Sequence, residues 1–143
     1  MFSNKGDQDK IISIHKRSLR ITHNDPLLKY DEFVSENNIP KIHQRHLQIL
    51  MTEIFKIKNK IGPELLGDLV KNKVQPYNLR NKDILALPST RSKTVGTNSI
   101  NFKSSLIWNS LPNEIKLSPS INIFKKKIKN WHCSNCTCKC CAK

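Results

Sequence analysis

The stretch KIHQRHLQILMTEIFKIKNKIGP, residues 41–63, decides how this chain is built. Leu47, Leu50, Ile54, Ile57 and Ile61 recur at spacings of 3, 4, 3 and 4. That is the signature of an apolar stripe on one helical face, and it predicts a helix from Lys41 to Lys60. Gly62 suits the C-terminal cap of that helix, and Pro63 suits the start of another carrying Leu65, Leu66, Leu69 and Val70. Two antiparallel helices joined by a tight turn are the expected result.

On the N-terminal side, Ile11, Ile14 and Ile21, with Ser18 between, fall near one helical face, and Lys16, Arg17 and Arg20 lie off it. A short basic helix is expected there. Asn24, Asp25 and Pro26 read as a turn. Leu27, Leu28, Tyr30, Phe33 and Val34 then predict a second short helix that ends near Asn37 and Asn38, before the break at Ile39-Pro40.

On the C-terminal side, Pro76, Asn78, Asn81, Pro88, Gly96 and Asn98 punctuate short apolar groups, which predicts an irregular middle with room for two short strands. Leu106, Ile107, Trp108 and Leu111 form an apolar cluster closed by Pro112. Pro119-Ser120 introduces a last helix with Ile121, Phe124, Ile128 and Trp131 on one face and Lys125, Lys126, Lys127 and Lys129 on the other. The expected fold class is mainly α: a small helical fragment with an irregular middle and a Cys-rich C-terminal tail. Its stretches are helical residues 1–73, loop-rich residues 74–131 ending in the basic helix, and the tail 132–143.

The balance of 25 Lys plus Arg against 11 Asp plus Glu gives a formal charge of +14 over 143 residues. Such an excess favours polyanionic partners, nucleic acid above all, and says little about fold. No acidic residue follows Glu114, whereas Lys116, Lys125, Lys126, Lys127, Lys129, Lys139 and Lys143 do. A hydrophobic content of 37% allows a modest core, and 143 residues, near the length of one domain, leave no room for a large catalytic body. The polar opening lacks the apolar run of a secretory signal, and nothing approaches the roughly 20 apolar residues of a membrane span. An intracellular location, cytoplasmic or nuclear, without membrane association is the resulting expectation.

In such a reducing setting, grouped cysteines are more often metal ligands or reactive thiols than disulfides. Cys133, Cys136, Cys138 and Cys141 offer thiolates for Zn2+, with His132 and Cys140 as alternates, although zinc sites normally separate two ligand pairs by a longer folded segment. A flexible, oxidation-prone tail and a site completed by upstream protein are the competing readings. Lys125, Lys126, Lys127 and Lys129, together with Arg17 and Arg20, are the expected phosphate contacts, against the plainer reading of solvated helix faces. Trp131 borders the basic tail and is a candidate for stacking on a base, whereas Trp108 reads as core. His43 and His46 stand one turn apart, but ordinary packing explains them better than metal binding.

Several phrases occur together in order: IISIHKRSLRI at 11–21, NNIPKIHQRHLQILMTEIFKIKNKIGPELL at 37–66, YNLRN at 77–81, SIN at 99–101 and IWNSLPNEIK at 107–116. FKKKIKNW at 124–131 follows, with Cys136, Cys138, Cys140 and Cys141 close behind. As a set they resemble the C-terminal region of the reverse-transcriptase polyprotein of non-LTR, LINE-type retrotransposons of the jockey-like group. Related sequences carry a Cys-Pro-Cys-Arg-Leu-Cys-like motif matched by Cys136, Cys138 and Cys141; this chain adds Cys133 and Cys140.

The resemblance implies a region that follows the polymerase palm and thumb of an RNA-directed DNA polymerase. Reverse transcription needs paired aspartates for two metal ions, and the aspartates at 7, 9, 25, 31, 68 and 83 are isolated. The expectation is therefore a non-catalytic fragment, not an enzyme by itself, that binds RNA or DNA and has the upstream reverse-transcriptase domain as a further partner. The alternatives are a protein-interaction fragment that docks the 41–73 helical pair on the polymerase, or a non-functional product of a degenerate element.

Overall fold

The computed structural model describes residues 5–74, 83–92 and 95–131. These form α1 (Lys5–Thr22), α2 (Tyr30–Glu36), α3 (Ile42–Lys58), a 3₁₀ helix (Glu64–Leu69), α4 (Ile100–Ser110), α5 (Asn113–Lys116) and α6 (Ile121–Asn130). The protein is mainly helical, as its periodicity predicts. In the irregular middle, the β pairing among the described residues is one antiparallel bridge between Asn72 and Leu85. The described residues divide into a unit up to His46 and a unit from Leu47, with α3 running through the boundary.

The first three helices each stop at a non-glycine residue with positive φ: Asn24 (50°), Asn38 (50°) and Lys60 (56°). Asparagine tolerates this left-handed conformation, which lets the next amides fold back onto orphan carbonyls. After α2 the Ile39 N–H donates to the Val34 carbonyl at 3.0 Å, and after α3 the Ile61 N–H donates to the Lys56 carbonyl at 2.9 Å. The expected glycine cap is thus displaced. Lys60 takes the left-handed position two residues before Gly62, whose own φ is not positive.

In the first unit, Leu28, Tyr30, Val34 and His43 are buried. Tyr30 sets the rotation of α1. Its hydroxyl is hydrogen-bonded with His15 Nδ1 at 3.0 Å, the two rings meet edge to face at 5.6 Å, and Lys16 Nζ lies 5.2 Å from the Tyr30 ring centre. Ile12, His15, Lys16 and Leu19 form the half-buried face. The face expected from the isoleucines points elsewhere: Ile11 is 38% exposed, Ile14 69% and Ile21 70%.

In the second unit, α3 buries Leu47, Met51, Ile54 and Phe55. The buried stripe is turned from the predicted one: Leu47 and Ile54 hold, Leu50 and Ile57 are half-buried, and Ile61 is exposed. Helix α3 ends at Lys58, so Ile61 falls outside its phase, and Phe55 brings an aromatic surface that the stripe of Leu and Ile left out. Phe55 stacks on Phe124 with centroids 4.4 Å apart, and Phe124 lies parallel to Trp108 at 6.1 Å.

The expected second helix of an antiparallel pair is absent. Residues 64–69 form a 3₁₀ run in which Leu65 is 91% exposed. Pro63 before it and Gly67 within it leave too short a segment to nucleate an α-helix. Helix α4 begins instead after Ser99, whose hydroxyl accepts from the Phe102 N–H at 3.3 Å, an N-cap of the common kind.

A candidate nucleic-acid interface

Helix α6 is positioned from both ends. Ser120 caps its start by accepting from the Ile123 N–H at 3.4 Å, and Gln48 Nε2 of α3 donates to the Lys129 carbonyl at 3.3 Å near its end. Phe124 and Ile128, one turn apart, are buried, while Ile121 and Trp131 are half-buried on the same side. That anchoring fixes the rotation of the helix and leaves Lys125, Lys126, Lys127 and Lys129 exposed.

No carboxylate stands among these four amines within α6. Lys125 and Lys129 are neighbours along the helix, and like charges at that spacing cost roughly 0.2–0.5 kcal/mol. A polyanion removes that cost. Lys127 and Lys129 also lie in the last turn, where cations complement the helix dipole. Lys127 Nζ donates to the Glu114 carbonyl at 2.7 Å, which holds its side chain along the α5 end of the surface.

Arg17 and Arg20 are exposed on α1 and belong to the first unit, whereas α6 belongs to the second. Arg20 Nε donates to the Leu28 carbonyl at 3.4 Å, which spends part of its guanidinium on the turn after α1. Trp131 occupies the C-cap of α6, where its N–H donates to the Ile128 carbonyl at 3.3 Å, and its half-burial leaves part of the indole open. Trp108 is a core residue, 1% exposed. Cys133, Cys136, Cys138 and Cys141, with His132, lie outside the described residues. Among the described residues no group of three His, Cys, Asp or Glu is placed to hold a metal ion; His43 is buried and His46 is exposed.

Two lysines that composition counts as surface charge are withdrawn from solvent, Lys58 half-buried and Lys116 buried. Lys58 Nζ pairs with the Asp83 carboxylate, donates to Asn72 Oδ1 at 3.0 Å and lies 5.3 Å from the Trp108 ring centre. Burial, with Lys116 adding repulsion, lowers its pKa to about 8. Lys116 is itself buried, donates to the Asn109 carbonyl at 3.3 Å and is lowered by burial. A signal for Lys58 was available, since it stands one turn beyond Ile54 on the buried stripe of α3. Lys116 gives none, because α5 is a single turn.

No family model, curated protein or solved structure matches the chain. Among the described residues, no helix is long and apolar enough to cross a membrane.

Proposed function

We propose that this chain is a non-catalytic C-terminal portion of a LINE-type retrotransposon reverse transcriptase, and that it binds RNA or DNA through phosphates without reading sequence. The supporting observation is the face of α6: four exposed lysines on a helix locked by Phe124 and Ile128, with no acidic residue after Glu114 in the chain. Amines in such a row exchange condensed counterions for contacts with the backbone, which gives affinity that is indifferent to base identity. In its parent the surface would hold template RNA or target DNA beside the polymerase. The isolated aspartates leave the chemistry to the upstream domains.

The family assignment rests on the ordered phrases of the sequence, and the binding activity rests on α6. Docking of the 41–73 stripe on a polymerase has less to work with, because Leu47 and Ile54 are buried within this chain. The thiolate donors Cys133, Cys136, Cys138 and Cys141 suit zinc by their chemistry, and native mass spectrometry of the chain with added Zn2+ tests that separately.

Anisotropy titrations with labelled single-stranded RNA and duplex DNA at low and moderate salt test the binding. The expected result is binding that weakens steeply as salt rises. A folded chain that binds neither at low salt contradicts the proposal.

A further inference from the structure

Helix α1 has two distinct long faces. One, built from Ile12, His15, Lys16 and Leu19, is half-buried around Tyr30. The other is the row Ile11, Ile14, Ser18 and Ile21, whose spacings of 3, 4 and 3 are those of a coiled-coil seam. Its three isoleucines remain exposed. Lys10 and Arg17 border its open edge, and Asp7 and Ser18 fall in the same row, so the seam is apolar at its three isoleucines and basic along one side.

Charge decides among the possible occupants. A second α1 lying parallel sets Lys10 against His15 and Arg17 against Thr22, which attracts nothing, and an antiparallel copy brings basic edges together. Phosphates would satisfy Arg17 and Arg20 but leave the isoleucines in water. An acidic amphipathic helix satisfies both features.

We infer that α1 is a docking helix for a protein segment of that chemistry: apolar residues at 3 and 4 spacing on Ile11, Ile14 and Ile21, with Asp or Glu facing Lys10 and Arg17. This surface lies in the first unit, and the lysines of α6 lie in the second.

The test uses the full chain and a labelled synthetic peptide of about three heptads, with Leu at the seam and Glu beside it. A peptide of the same composition in scrambled order is the control. The wild-type chain binds the patterned peptide and not the scrambled one. Ile14→Asp and Ile21→Asp each weaken binding at least about tenfold, Arg17→Glu weakens it, and helix content is unchanged. Replacing Lys125, Lys126, Lys127 and Lys129 by Ala leaves peptide binding intact, so failure of the α6 reading and failure of this one are told apart.

A folded chain that ignores the patterned peptide, or binding indifferent to Ile14→Asp, overturns the inference. So does a dimer that Ile14→Asp splits, which assigns the seam to a second copy. A loss of thermal stability in Ile14→Asp assigns it to the chain's own residues, and a loss of duplex affinity as large as that in Arg17→Ala assigns it to nucleic acid.

Discussion

Asn109 grips the backbone of Leu85 with both ends of its amide: the Leu85 N–H donates to Oδ1 at 2.8 Å, and Nδ2 donates to the Leu85 carbonyl at 3.0 Å. On the opposite edge of the same segment, the Lys73 N–H donates to the Ile84 carbonyl and the Ala86 N–H to the Lys71 carbonyl, both at 2.8 Å. A side chain of α4 therefore stands in for the third strand of a sheet. With its polar groups paired, Leu85 packs at 1% exposure. Removing the amide in Asn109→Ala strands two buried backbone groups and should cost about 2–3 kcal/mol in urea unfolding. Asn109→Gln, one methylene too long for the pairing, should not restore it.

The left-handed Lys60 offers a gain in stability. A side chain at φ 56° meets steric resistance that glycine does not. Lys60→Gly should stabilise the chain by about 0.5–1 kcal/mol, read as a higher urea midpoint with an unchanged slope. A destabilised variant would mean that α3 ends differently.

Phe124 joins the scaffold to the proposed interface. It is fully buried between Phe55 and Trp108, so Phe124→Ala should cost about 3–5 kcal/mol and loosen α6. Both stability and nucleic-acid affinity should fall. Alanine at Lys125, Lys126, Lys127 and Lys129 should lower affinity alone, because those side chains are exposed.

Lys58 gives stability a pH dependence of defined sign. Burial lowers its folded pKa from 10.5 to about 8. The unfolded chain then binds more protons between those values, so stability rises with pH across the window and is lost as pH falls through about 8. Urea midpoints of the wild type minus those of Lys58→Met, from pH 7.5 to pH 10.5, should climb accordingly. A difference that stays flat or falls would mean that the Asp83 carboxylate holds the amine charged throughout.

The helices were legible where a local period carried them. Leu47 and Ile54 in α3, and Phe124 and Ile128 in α6, are buried as their spacing implies, and the lysines of α6 lie exposed opposite them. What escaped depends on groups far apart in the chain. No local pattern announces that Asn109 will pair with Leu85 or that Tyr30 will turn α1 away from its isoleucines. Within IWNSLPNEIK, one of the phrases behind the family resemblance, Ile107, Trp108 and Leu111 are buried and Asn109 makes the clamp.

The most direct measurement is the salt slope of duplex-DNA affinity for the wild-type chain and for the variant with alanine at Lys125, Lys126, Lys127 and Lys129. Each lysine in contact with a phosphate contributes about 0.9 to the slope of log affinity against log salt, so the variant should bind more weakly and with a shallower slope. Equal slopes and affinities for the two chains would contradict a phosphate-binding role for α6.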